Sequence, residues 1–277
     1  MSDTVSGHLP RVIHDPAEWR AFCRSLRAYG GLGFVPTMGA LHAGHLSLCR
    51  QAIVAGNANV VVSIFVNPTQ FNDQADLAAY PRVLEADLHK LASVGVTAVF
   101  APAYDGIYPD SYRFRMSEVE LSRLYCGAHR PGHFDGVLTV VLKLLQLTGA
   151  DAAYFGEKDY QQYMLVRDMA AAFFVPTAIV PCPIVREANG LAMSSRNERL
   201  SLTDRVAAGA FHRALVDGTS ADQARQRLLA AGFEVDYVAD IADAARGIRR
   251  RIAAIRFSGI RLIDNIGLTA TGEATDV

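Results

Sequence analysis

Two histidines three residues apart, His42 and His45 in the stretch PTMGALHAGHLSL, are the first residues of this chain whose types and spacing suggest chemistry. They flank Ala43-Gly44, where the apolar run GLGFVPT hands over to a helical pattern. Gly44 lets a ligand come close to the backbone, and a helix starting here offers N–H groups and the positive end of its dipole to an anion. Two imidazoles beside those groups could donate hydrogen bonds to phosphate oxygens, and would do so more strongly as charge builds up in a transition state. Zinc is disfavoured, because the pair lacks the i, i+4 spacing and intervening Glu of a zincin helix and has no third ligand nearby in the sequence.

Three other polar clusters could serve the same chemistry. In AMSSRN, Ser194 and Ser195 supply short donors and Arg196 a forked cation, which suits a phosphate-gripping loop; the same residues also make an ordinary turn with a helix cap. In FGEKDYQQ, Lys158 falls where a strand ends and a helix begins, as a point charge for phosphate. Asp159 could cap that helix or contact substrate or a metal-bound water, and Gln162 lies one turn further in. In SIFVNPTQF, Gln70 follows an Asn-Pro turn and could pair with a small polar substrate, rejecting analogues that lack the partner group.

The elements that must position these residues are legible as an alternation. Strand-like runs at 31–37, 59–66, 96–102, 151–156 and 177–183 are interleaved with helical patterns at about 44–55, 76–94, 134–147 and 160–174. Strands apolar on both faces, separated by helices, predict an α/β fold: a doubly wound parallel sheet of Rossmann-like type, with ligands beyond the carboxyl ends of the strands. Three polar stretches do follow strand ends: Thr37–Gly39, Asn67–Gln70 and Glu157–Asp159. Past Pro183 the pattern changes, so the expectation is a catalytic domain over 1–184 and a smaller α+β domain over 185–277 that carries the Ser-Ser-Arg loop. The tail LTATGEATDV shows no packing pattern and is expected to fray.

Composition narrows the function further. Of 277 residues, 51% are hydrophobic and the net charge is -1, which gives no global attraction to nucleic acid or an acidic membrane. The chain has no apolar run of membrane-spanning length, and MSDTVSGHLPRVIHD lacks the features of a secretory signal, so a cytoplasmic location is expected. Cys23, Cys49, Cys126 and Cys182 are scattered and read as free buried thiols. The arginines at 246, 249, 250, 251, 256 and 261 read as a solvated face.

HAGH, with LAMSSRN standing where a K-M-S-K-S-like loop would be, resembles the HxGH nucleotidyl-transferase superfamily, although Ala192 and Ser195 replace its lysines. The combination PTMGALHAGH, SIFVNPTQF, AYPR, GVLTVVLKLL, FGEKDYQQ, LAMSSRN and RLIDN is narrower and is similar to the pantoate–β-alanine ligases. That resemblance implies ATP-dependent condensation of pantoate with β-alanine through a pantoyl adenylate, with ATP and Mg²⁺ required and a homodimer as the working form. It implies that His42, His45 and Lys158 are catalytic. ATP would be held by Met38, Gly39, Ala40, Leu41, His42, Ala43, Gly44 and His45, by Gly156, Glu157, Lys158 and Asp159, by Val185, and by Met193, Ser194, Ser195 and Arg196. Gln70 and Gln162 would bind pantoate, Gln70 also β-alanine, and the smaller domain would be a lid. Where relatives carry an acidic, metal-supporting cluster, this chain has YPRVLEADLHK, leaving Asp87 as the candidate ligand and most of the magnesium on ATP. The competing readings are another adenylyltransferase of the superfamily, which would need neither glutamine, and a nucleotide-binding regulator without turnover.

Overall fold

The computed structural model describes residues 8–275. They divide into two compact units: one runs to Gly156 and includes Leu165–Cys182, and the other comprises Glu157–Met164 and the chain from Pro183 onward. The segment 157–164, which the sequence reading keeps with the first part, packs with the second.

The first unit is built on six strands, β1 (Arg11–Ile13), β2 (Leu32–Thr37), β3 (Asn59–Ile64), β4 (Ala98–Phe100), β5 (Ala152–Gly156) and β6 (Ala178–Cys182). All neighbours are parallel and the order is β1-β4-β3-β2-β5-β6. Adjacent strand residues point to opposite faces. Val99 packs with Val35, Leu48, Ala52 and Leu91, under the Ala43–Val54 and Leu84–Ala92 helices. Its neighbour Phe100 stacks on Trp19, ring centroids 5.0 Å apart, and the Trp19 indole donates to Thr148 Oγ1 at 3.1 Å. Trp19 and Thr148 belong to the helices Pro16–Arg27 and His133–Thr148, so both faces of the sheet are covered. This is the doubly wound arrangement the alternation predicts. Strand order reverses at β2, so the carboxyl ends of β2 and β5 flank the switch point where such sheets bind ligands.

One long helix expected over 76–94 is instead two, Gln74–Ala78 and Leu84–Ala92. Pro81 cannot donate to a helix and disfavours helical backbone at Tyr80, so the chain breaks there. All four cysteines are buried and none is in a disulfide. Among the described residues, no helix is long and apolar enough to cross a membrane. The signal-peptide reading falls partly on residues 1–7, outside the described chain.

The second unit carries helices Leu202–Ala207, Ala210–Asp217 and Ala221–Ala230 and an antiparallel sheet, β7 (Glu234–Asp243), β8 (Ile248–Phe257) and β9 (Ile260–Leu268). Phe211, Leu215, Leu228, Ile255 and Ile266 form the centre of its core. Two expectations fail here. The tail does not fray over its described part: Leu268 pairs with Ala274, and Thr275 N–H donates to Gly267 O at 3.0 Å, closing a turn. Nor are the arginines all a solvated face, although Arg249 and Arg256 are exposed. Arg251 is fully buried, its Nε and Nη2 on the two Asp240 oxygens at 2.7 and 2.9 Å and its Nη1 on the carbonyls of Leu215 and Gly218. Arg250 and Arg246 pair with Glu157, and Arg261 with Asp236. Alternation along β8 puts Arg250 and Arg251 on opposite faces, and each face retains its arginine because a carboxylate is there to meet it.

Truncating a solvated arginine changes stability little, whereas removing Arg251 strands a carboxylate and two carbonyls. Arg251→Ala is expected to lose about 3–5 kcal/mol of unfolding free energy, read by urea denaturation. Loss of only a few tenths would return Arg251 to the solvated class.

Candidate active site

The chain leaves β2 at Thr37 and turns through Met38–Leu41 before the Ala43–Val54 helix begins. Gly39 and Ala40 both have left-handed backbone, at φ +84° and +50°. For Ala40 this costs about 1–2 kcal/mol, so something must hold it. Asp87 does. Its carboxylate, fully buried, accepts from Ala40 N–H and Leu41 N–H, each at 2.8 Å. Hydrogen bonds to a charged group contribute about 1.5–3 kcal/mol each, enough to outweigh the strain. Lys90 Nζ donates to Leu41 O at 2.6 Å from the same helix. Asp87, the candidate magnesium ligand, thus has both oxygens engaged in holding the loop.

The loop delivers His42 to the N-cap position. His42 Nδ1 accepts from Gly44 N–H at 3.1 Å, and His42 N–H donates to His45 Nδ1 at 3.3 Å. The two side chains cap the helix reciprocally, as Ser and Glu do in a capping box. A backbone N–H can only donate, so Nδ1 of each ring is unprotonated and the ring proton sits on Nε2. The rings lie 4.1 Å apart, centroid to centroid. The helix start thus carries two imidazole N–H donors of fixed tautomer. Cys49, one turn beyond His45, takes no part as a nucleophile: burial pushes its thiol up to about 12.

Gln70 closes the short turn Pro68–Gln70 after β3. Its Oε1 accepts from Asn67 Nδ2 at 3.0 Å and its Nε2 lies 3.3 Å from Met38 Sδ, tying it to the loop after β2. Its own carbonyl accepts from Arg130 Nη2 at 3.1 Å and lies 2.8 Å from His133 Nδ1. Asn67, almost wholly buried, also donates to Gly136 O and accepts from the Tyr108 hydroxyl at 2.9 Å. Gly136 is required by proximity: a Cβ there would sit 2.5 Å from Thr69 O and 2.8 Å from Gln70 Cα. Asn67, Tyr108, Arg130, His133 and Gly136 are supports the sequence reading missed. Arg130-Pro-Gly-His133, polar residues directly before a long apolar helix, was the available signal. A pocket of about 380 Å³ opens beside Met38 and Gly39, lined also by Phe65, Pro68, Arg82 and Tyr104.

The remaining candidates lie in the second unit, apart from Gly156, which ends β5. Glu157–Asp159 form a single tight turn before the Tyr160–Ala172 helix. Lys158 Nζ lies 3.6 Å from Asp159 Oδ2. Glu157, read as an ATP contact, is buried, and its carboxylate is paired with Arg246 Nη1 and Arg250 Nη2, each at 2.6 Å. Tyr160 donates to Asp243 at 2.8 Å, and burial together with that carboxylate pushes its hydroxyl up to about 12. Gln162 is half-buried on the helix. Val185 O accepts from Met193 N–H at 2.9 Å, closing a small hairpin. Ser194 caps the short helix Ser195–Arg199, its Oγ accepting from Arg196 N–H at 3.3 Å, and Met193 to Arg196 are half-buried. Asn197 anchors this turn, donating to Glu187 and to Ala192 O. The structure thus brings Met38, His42, His45 and Gln70 to one rim of the first unit. Lys158 and the Ser194–Arg196 turn are held on backbone braced from within the second. Leu41 is buried, with its N–H and C=O both spent on the loop.

The family model for pantoate-beta-alanine ligase matches residues 11–267. A pantothenate synthetase of Bdellovibrio bacteriovorus is 48% identical over 258 residues, covering 93% of this chain and 99% of its own. One from Cereibacter sphaeroides is 49% identical with the same coverage. Among solved structures, pantothenate synthetase from Thermus thermophilus superposes with a TM-score of 0.84 at 41% identity, covering 92% of this chain and 98% of that one. Pantoate-beta-alanine ligase from Francisella tularensis, complexed with beta-gamma ATP and beta-alanine, gives 0.85 at 39% identity, covering 93% and 97%.

Two substitutions probe this scaffold. Asp87→Asn leaves one acceptor for two N–H groups and is expected to cost about 1–3 kcal/mol of stability, measured by denaturant titration; an unchanged midpoint would mean the loop holds itself. Gly136→Ala forces a methyl into the Thr69–Gln70 backbone and is expected to cost about 1–3 kcal/mol. Its crystal structure should show the Pro68–Gln70 turn displaced, and an unmoved turn would contradict the contact.

Proposed function

The chain belongs to the pantoate–β-alanine ligase family, and on that premise we infer that it makes pantothenate from pantoate, β-alanine and ATP. A pantoate carboxylate oxygen attacks the α-phosphorus of ATP, and the bond to the β-phosphate oxygen breaks, giving pantoyl adenylate and pyrophosphate. The amine of β-alanine then attacks the acyl carbon, loses a proton, and AMP leaves. Keeping the adenylate bound makes the second step effectively intramolecular and keeps water from the mixed anhydride.

The observation that carries this reading is the reciprocal cap of His42 and His45. Each ring spends Nδ1 on the backbone, which turns its Nε2–H into an oriented donor at the positive end of a helix. In this role the two donors meet the α- and β-phosphate oxygens, where charge grows as the α-phosphorus is attacked. Lys158 neutralises phosphate, Ser194, Ser195 and Arg196 grip the triphosphate, and the backbone N–H of Val185 meets adenine. Gly39 and Gly44 let the nucleotide approach, and Ala40 and Leu41 act by shaping the loop. Gln70, held by Asn67 and Met38, orients pantoate and borders β-alanine, and Gln162 also serves pantoate.

Among the described residues, no group of three or more His, Cys, Asp and Glu side chains is arranged to hold a metal ion. With Asp87 engaged in the loop, these residues do not form a protein cage for magnesium, which in this reading arrives on the phosphates of ATP. The family is also the basis for expecting a homodimer at work in the cytoplasm, and light scattering tests the first of these.

Pyrophosphate release is the deciding assay. Steady release is expected to need ATP, pantoate and β-alanine together, with a single-turnover burst on pantoate alone. His45→Ala should lower the rate by about 10²–10³. Release indifferent to pantoate and β-alanine would overturn the substrate assignment.

A further inference from the structure

Three groups converge on the turn that carries Lys158, all within the second unit. Asn265 in β9, nearly fully buried, donates through Nδ2 to the carbonyls of Glu157 at 2.8 Å and Lys158 at 3.0 Å. Arg250 in β8 donates from Nη1 to Asn265 Oδ1 and from Nη2 to Glu157 Oε2, each at 2.6 Å. One planar guanidinium therefore fixes both the amide that holds the turn's backbone and the carboxylate that holds its side chain. Its plane also covers the Tyr160 ring, 4.5 Å from the centroid. Arg246 takes the other Glu157 oxygen and lies 3.3 Å from the Tyr160 hydroxyl.

Stability is a poor explanation for this cluster. Buried ion pairs gain little over well-packed apolar side chains once desolvation is counted, and Arg250 Nε is buried with no hydrogen-bond partner. What the cluster supplies is a single permitted geometry. A forked cation bonded both to the Glu157 carboxylate and to the Asn265 amide, with that amide on the Glu157 and Lys158 carbonyls, leaves the Glu157–Lys158 peptide one orientation, and Lys158 projects from that peptide.

We propose that Arg250 is a positioning residue for the ligation: acting through Asn265 and Glu157, it holds the backbone from which Lys158 reaches the phosphate. The kinetic part of this inference rests on the phosphate role assigned above to Lys158. Arg250 itself touches no substrate in this account.

The test uses the full chain with Arg250→Met, Lys158→Ala and the double variant, each checked for a cooperative thermal transition. Hydrogen exchange of the amides in 157–160 should quicken in Arg250→Met while β7–β9 stay protected. Its kcat/KM for ATP should fall by about 10–10²-fold, as expected for a misplaced group. On the Lys158→Ala background, removing Arg250 should cost almost nothing more, because the two act in series. Arg250→Lys, which cannot bridge both partners, should fall in between. Unchanged exchange in 157–160 would overturn the proposal, as would an equal kinetic loss with and without Lys158. Should Lys158→Ala alone keep wild-type activity, the phosphate role of Lys158 falls and the exchange measurement decides the clamp by itself. Should Arg250→Met not fold, Glu157→Gln, which keeps shape and drops charge, takes its place.

Discussion

The carboxylate of Asp87 on the N–H groups of Ala40 and Leu41 is the contact on which the candidate site depends. Two successive residues of the loop after β2 are left-handed, and one of them is not glycine. Without an acceptor for those two N–H groups the loop would relax toward ordinary backbone, and His42 would leave the N-cap position. The histidine cap, the tautomers it fixes and the donors it presents all follow from a buried residue that is some forty-five positions further along the chain.

A carboxylate has the same job in both units. In the first, Asp87 holds the loop that carries the histidines. In the second, Glu157 is bound by Arg246 and Arg250 and fixes the turn that carries Lys158. In each case the negative charge is buried and saturated by N–H donors. An acidic residue left open beside a phosphate would repel it; the same residue, neutralised by its partners, supplies order without adding repulsion. Asp87 and Glu157, both read from sequence as ligand contacts, thus have their carboxylates on loop backbone and on arginines.

The alternation of apolar strands and helices was legible because parallel strands buried on both faces leave a near-continuous hydrophobic signature. The donor-rich clusters around His42, Gln70 and Lys158 were legible because each follows a strand end. Less was legible where a residue's partner is remote. Nothing near Arg251 indicates that strand alternation turns it inward onto Asp240, or that Arg250 reaches Glu157, 93 positions away. Asn67 read as turn chemistry, and it does cap the Pro68–Gln70 turn, but its bonds to Tyr108 and the Gly136 carbonyl come from packing against elements far along the chain. The break at Tyr80-Pro81 is written in the sequence, but the helical pattern on either side masks it.

By itself the sequence determined what is local or repetitive: strand and helix periods, the His-x-Gly-His pair at a strand-to-helix junction, the glycine that lets the loop turn, and enough collinear motif to reach the ligase family. Covalent order fixes those relations, so one dimension is enough to read them. The tertiary structure decided which polar residues do chemistry and which hold others in place. That distinction depends on where each acceptor and donor is satisfied. A carboxylate beside water is open to a ligand, whereas the same carboxylate, buried against two N–H groups or two guanidiniums, is already committed to its own chain, and only the folded chain determines which of these it meets.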